Sequence, residues 1–221
     1  MRTRLSNIKK QSAANAAPGR GRPKTKSDDA QRKLIADRAW EMFLENGYGR
    51  TTTDAIAADC RISKQTLYRL FPGKPALFTS IVDQHRLSML ALPGDYDSLP
   101  LDRALEQIFN IDITPAAHAK RMGLIDLVLL EAKRYPELEE IIHKHGADLS
   151  LNELAKWLKR RAKREPIDIG DAKHSARLLM TMIFGPFAPP SRGEGRRWRS
   201  EDIAEHIRRC VFVFLNGVRA R

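Results

Sequence analysis

The 221-residue chain has only two cysteines, Cys60 and Cys210, and they share no metal-ligand spacing. Both fall in helical patterns where a small apolar residue serves. Free buried thiols suit a reducing compartment, so a cytoplasmic location is expected. Long apolar runs are missing. The longest, Leu124 to Leu130, is short and interrupted by Asp126, so no helix is expected to span a membrane. The basic N-terminus has no apolar h-region and does not read as a signal peptide. No segment alternates with period two, so essentially no sheet is expected. There is no internal repeat, no Gly-x-Ser-x-Gly and no phosphate loop. The histidines are scattered. His143 and His145, two apart, point to different sides of a helix and cannot form an i, i+4 metal pair. Glu131, Glu139 and Glu140 read as solvated helix faces. No cofactor, metal site or enzymatic activity is therefore expected.

What the chain does have is positive charge, and it is unevenly placed. The net charge is +12 and the pI about 10.0. Residues 1–27 hold eight basic residues (Arg2, Arg4, Lys9, Lys10, Arg20, Arg22, Lys24, Lys26) and no acid. That block is expected to be disordered when free, and the excess charge favours a polyanionic partner. Hydrophobic residues make up 42% of the chain, enough for a real core.

Helical signals follow the arm. Ser27, Asp28 and Asp29 offer an N-cap and first-turn acids. Leu34, Ile35, Ala39, Met42 and Phe43 then repeat with helical spacing until Asn46-Gly47 stops them. Thr51-x-x-Asp54 fits a capping box with a shorter acid, opening a two-turn helix with Ile56 and Ala57 inward. Ser63 caps the next helix, which turns Leu67 and Leu70 inward and ends at Pro72-Gly73. Lys74-Pro75 opens a longer helix through about Leu92, broken by Pro93-Gly94. Further helices are expected at 101–112, 116–134, 136–145, 147–164, 171–185 and 201–218, with an exposed loop at 186–200. The expected class is all-α. The expected division is a basic arm at 1–27, a three-helix helix-turn-helix domain at 28–75, and a helical bundle for ligand binding and dimerisation at 76–221.

The stretch from Thr51 to Lys74, TTTDAIAADCRISKQTLYRLFPGK, is two short helices joined by a tight turn, the arrangement that sets a helix in a DNA major groove. At the start of the second helix, Lys64 suits guanine acceptors and Gln65 the edge of adenine. Thr66 suits a thymine methyl or a phosphate. Tyr68 and Lys74 are placed for phosphate, which sets register. Thr52 and Thr53, opening the preceding helix, suit the DNA backbone.

The segment GYGRTTTDAIAADCRISKQTLYRLFPGKPALFTSIV resembles the N-terminal domain of the TetR family of bacterial transcriptional regulators. The likeness runs over about residues 30 to 82. It rests on Phe43, Gly47, Thr51, Ile56, Ala57, Ile62 and Leu77-Phe78, and above all on Ser63-x-x-Thr66-Leu67-Tyr68-x-x-Phe71-x-x-Lys74. The resemblance implies an all-helical homodimeric repressor of double-stranded DNA operators, answering to a small-molecule effector. It carries phosphate contacts to Thr53, Tyr68 and Lys74 and base contacts to Lys64, Gln65 and Thr66. The segment 131–138 (EAKRYPEL) resembles the C-terminal domains of the AefR-like repressors. A DNA-binding regulator answering to a protein partner is the other reading of the same features.

One departure lies at Arg61, in a turn where the family commonly has Gly. A positive φ there costs a non-Gly residue roughly 1 kcal/mol. Arg61 is either a phosphate contact that offsets this cost or a solvated surface residue. In the arm, Arg20-Gly21-Arg22-Pro23 matches the core of an AT-hook, which lies in a narrow A·T-rich minor groove. The same residues also read as a flexible basic linker giving nonspecific affinity. Cys60, beside Arg61, reads as a small packed residue rather than a redox sensor.

In the body, the resemblance implies that helices 171–185 and 201–218 pair with those of a second chain. Leu178, Leu179, Met182, Ile183, Val211, Phe214 and Leu215 then divide between interface and core. An effector pocket is expected between the helices from about 101 to 185, with Phe109, Leu127, Leu130, Trp157, Met180 and Phe184 as candidate linings. Each of these is also consistent with plain core packing.

Overall fold

The computed structural model of the chain describes residues 28–185 and 200–218. Those residues form ten α-helices and no strand. They are α1 (Asp28–Asn46), α2 (Thr53–Asp59), α3 (Lys64–Leu70), α4 (Lys74–Met89), α5 (Leu101–Ile108), α6 (Pro115–Glu131), α7 (Glu137–Ile141), α8 (Asp148–Arg161), α9 (Ala172–Phe184) and α10 (Ser200–Val218). The expected all-α class is therefore observed. The Arg20-Gly21-Arg22-Pro23 arm and most of the loop expected at 186–200 lie outside the described residues.

Apolar spacing sorts these helices into two cores. The first gathers Ile35, Ala39 and Phe43 of α1, Ile56 of α2, Leu67 and Leu70 of α3, and Leu77, Phe78, Ile81 and Val82 of α4. Leu124, Leu127 and Val128 of α6 and Leu138 of α7 complete it. The second is built from α5, α8, α9 and α10, with Leu90 and Leu92 from the stretch just after α4. The boundary expected at residue 75 is thus not a break in packing. Most of α4 belongs to the first core, and the residues that follow it enter the second.

The helix ends explain the local geometry. Gly47 closes α1 with φ 80°. Arg61 closes α2 in the same left-handed conformation, with φ 54°. Its amide donates to Ala58 O at 3.0 Å and the Ile62 amide to Ala57 O at 3.0 Å, the paired bonds of a Schellman closure. The turn therefore does require the conformation that Gly adopts freely, and Arg61 carries the Cβ penalty.

Two expectations need correcting. Thr51 does not cap α2: it is buried, its hydroxyl within reach of Gly47 O (2.9 Å) and Met42 O (3.1 Å). Thr52 is the cap, its Oγ1 accepting from the Ala55 amide at 3.1 Å. The break expected near Gly146 is also absent. There α7 runs through a π-helical turn, Ile142–Ala147, directly into α8. Such turns insert a residue without ending the helix.

Candidate functional site

On α3, the side chains of Lys64, Gln65 and Tyr68 are exposed, while Leu67 and Leu70 are buried. Ser63 starts the helix by accepting from the Thr66 amide at 3.0 Å, and its Oγ also meets Thr66 Oγ1 at 2.8 Å. That contact engages the Thr66 hydroxyl and leaves its methyl as the group to offer a base. Thr53 Oγ1 lies 3.0 Å from the Tyr68 hydroxyl, so the start of α2 and the middle of α3 share one polar patch. Lys64 Nζ donates to Asp54 Oδ2 at 2.7 Å, and that bond raises the lysine pKa. Both partners are exposed, where such pairs are weak and screened by solvent, so the ammonium can exchange Asp54 for another acceptor. Arg69 donates twice to Asp28, at 2.7 and 3.0 Å, fastening the start of α1 to α3.

Lys74 differs from its expected role. Its ammonium is half-buried and donates to Tyr48 O at 2.8 Å. It sits 4.3 Å from the centre of the Tyr48 ring and 5.6 Å from that of Tyr135. The two rings meet edge to face at 5.3 Å. Burial pushes the lysine pKa down, while the charges of Glu137 and Glu131 draw it back up. Lys74 therefore holds a clasp of carbonyls and aromatic faces, a structural role that the sequence did not reveal beside the phosphate contact expected of it. The clasp joins the α1–α2 loop to the segment between α6 and α7. A Cβ on Gly49 would collide with the outer edge of the Tyr135 ring, so any larger residue there would push the ring aside. Sequence reasoning quoted both Gly49 and EAKRYPEL but had no means of pairing them.

Below the end of α4 lies a cavity of about 490 Å³. Val82, Arg86 and Met89 of α4, Leu124 and Ile125 of α6, the π-helical turn, α8, and Arg177, Met180, Thr181 and Phe184 of α9 line it. Of the six expected linings, Met180 and Phe184 are present. Phe109 and Trp157 are buried in the second core, Phe109 against Phe184 with ring centres 5.7 Å apart. Leu127 belongs to the first core. Leu130 is 80% exposed and does not line this cavity. All four were placed by apolar character alone, which does not distinguish core from wall. The contribution of α4 and the π-helical turn had no sequence signal.

The candidate interface residues divide unevenly. Leu179, Ile183, Val211, Phe214 and Leu215 are buried within this chain, on the core side of the expected division. Leu178 is exposed and Met182 half-buried. Two residues not anticipated, Phe212 (59% exposed) and Val213, present apolar surface on α10. Among the described residues there is no cluster of three or more metal-ligating side chains, and no helix is long and apolar enough to cross a membrane.

The model of the bacterial regulatory proteins of the tetR family matches residues 35–81. That of the AefR-like transcriptional repressor C-terminal domain matches residues 103–217, more than half the chain. The chain belongs to the TetR family. It is a helix-turn-helix transcriptional regulator, not an enzyme. TetR regulators bind DNA operators and carry a ligand-binding C-terminal domain. Among curated relatives, the HTH-type transcriptional regulator UidR of Escherichia coli (strain K12) is 30% identical over 196 residues, covering 86% of this chain and 89% of UidR. Among solved structures, a protein from Mesorhizobium loti MAFF303099 assigned to the TetR regulators shares the fold with a TM-score of 0.67 at 22% identity, covering 89% of this chain and 100% of that one. The Flavonoid-responsive Regulator FrrA does so with a TM-score of 0.64 at 24% identity, covering 87% and 99%.

Proposed function

We propose that this TetR-family chain is a homodimeric repressor of a near-palindromic operator, released by a small apolar or amphipathic molecule. The observation that carries this reading is the course of α4. The helix begins at Lys74, behind the exposed row on α3, and ends with Arg86 and Met89 in the cavity wall. Lys64, Gln65 and Thr66 contact bases, and Thr52, Thr53, Arg61, Tyr68 and Lys74 contact phosphates. Arg20 to Pro23 follow the adjacent minor groove. Leu178, Phe212 and Val213 form the exposed apolar part of the dimer face.

A dimer sets two α3 helices in successive major grooves, about 34–36 Å apart or somewhat more. An effector releases DNA only through differential affinity for the two states. The cavity falls within the ~300–1,000 Å³ common to small-molecule sites. The name of the flavonoid-responsive relative is in keeping with such an effector. The test is operator selection with the purified full chain, followed by the mass of the complex on the selected site. Inverted half-sites bearing two chains are expected. A selected site without two-fold symmetry, bound by one chain, overturns the dimeric reading. Absence of any selected sequence at moderate salt overturns the repressor reading itself.

A further inference from the structure

The cavity carries more positive charge than its apolar walls account for. Arg86 enters from α4 and Arg177 from α9. Some arginines of the body find carboxylates: Arg164 meets Asp97 at 2.6 Å, Arg103 meets Glu106 at 2.8 Å, and Arg161 meets Glu165, while the buried Arg121 donates to the Ser88 carbonyl outside the cavity. Neither Arg86 nor Arg177 reaches one among the described residues. Arg86 donates through Nη1 to Leu92 O at 3.1 Å, and its buried Nε has no partner. A partly buried guanidinium without a counter-charge is costly, and an orphaned donor adds to that cost. One carboxylate, that of Asp148, shares the lining, but it is exposed and pairs with neither arginine. Two cations thus face one anion. Ser150 and Thr181 share the lining.

We propose that the effector is an amphipathic organic anion: an apolar body bearing one carboxylate, sulfonate or similar acidic group held by Arg86 and Arg177. Planar guanidinium forks match such oxyanions, which is why arginine rather than lysine suits the task. Val82, Met89, Leu124, Ile125 and Phe184 receive the apolar body and disfavour a wholly polar ligand such as a free sugar. The inference rests on the effector role proposed for this cavity and adds its chemistry. It also adds a handle on the reader. Arg86 lies in the last turn of α4 and ties that turn to Leu92. An anion that takes over its N–H groups acts directly on the helix that begins behind α3.

The experiment compares two fluorescent probes of the same skeleton, 1-anilinonaphthalene-8-sulfonate and the uncharged N-phenyl-1-naphthylamine, on the full chain. The sulfonate is expected to bind at least tenfold more tightly. Arg86→Met/Arg177→Met should remove that preference and leave the neutral probe within twofold. Arg177→Met alone, at an exposed position that leaves the Leu92 contact intact, should remove part of it. Arg103→Met, a surface control, should change neither probe. Thr181→Trp, which fills the cavity, should weaken both. If the arginine variants leave the sulfonate unchanged while Thr181→Trp weakens both probes, the anionic class is wrong and the effector cavity stands. If Thr181→Trp leaves both probes bound as before, the probes sit elsewhere and the effector reading of the cavity falls as well.

Discussion

Side chains on α3 and side chains around Lys74 are both polar and both near the proposed DNA surface, yet they relate to the fold in opposite ways. Lys64, Gln65 and Tyr68 stand off the first core, and the one ion pair among them is exposed on both sides. Lys74, Tyr48 and Tyr135 are themselves part of what fastens the first core to the segment after α6. Function on α3 is therefore separable from stability, and at the clasp it is not. The largest expected effect follows from this. Lys74→Met loses a charged hydrogen bond and two ring contacts and leaves Tyr48 O without its donor, a cost of about 2–3 kcal/mol. Urea melts should show that loss, and normal stability would overturn the clasp. The salt slope of DNA binding separates the two roles: a fall of about one adds the expected phosphate contact, and an unchanged slope leaves Lys74 to the clasp alone.

The contrast extends to pH. His85, on α4, packs edge to face on Trp40 at 4.9 Å. Burial first, and then the charges of Lys120 and Arg121, push its pKa down to about 4, with Asp37 opposing. A histidine depressed from 6.5 binds more protons when unfolded, so its contribution is present above 6.5 and is lost as the pH falls toward 4. Between pH 7 and pH 5 the loss amounts to about 2 kcal/mol. His85→Gln should flatten that part of the stability profile in denaturant melts. An unchanged profile would place the titrating group elsewhere. No group on the exposed face of α3 should contribute a comparable slope.

The α3 side of the comparison is sharpened by DNA binding. Lys64→Ala should cost about 1–3 kcal/mol of discrimination at one base position, and Tyr68→Phe should weaken all sequences alike. Neither should change the free energy of unfolding by more than about 0.5 kcal/mol. Uniform loss from both would remove Lys64 from the base readers.

How much of this was legible follows from sequence separation. The helix-turn-helix was readable because each element is local. Ser63 caps the third residue after it, Leu67 and Leu70 repeat on one face, and Gly47 stops α1. Even its strained turn could be placed, since a Schellman closure at Arg61 involves bonds no more than five residues apart. The clasp and the cavity were not readable. Tyr135 and Gly49 meet across 86 positions, and the cavity draws on α4, α6, the π-helical turn, α8 and α9. Apolar residues in these helices divide among core, wall and surface. That division depends on which helix packs opposite, as Leu127, Met180 and Leu130 show by ending in three different places.

Arg61 supplies the smallest effect and the clearest separation of fold from function. Its φ of 54° is a strain that glycine does not feel. Arg61→Gly removes the Cβ clash, worth about 1 kcal/mol, against which the added freedom of the unfolded glycine subtracts a few tenths. A net rise of about 1–3 °C in melting temperature is expected for a chain of this size. If the exposed guanidinium is also a phosphate contact, the same variant binds all DNA sequences more weakly and its salt slope falls by about one. The variant then gains stability as it loses affinity. Such a split is expected where a side chain is kept for its ligand at the expense of its backbone. A stabilised variant with unchanged salt slope would instead leave Arg61 as a solvated surface residue in a turn that would be better served by glycine.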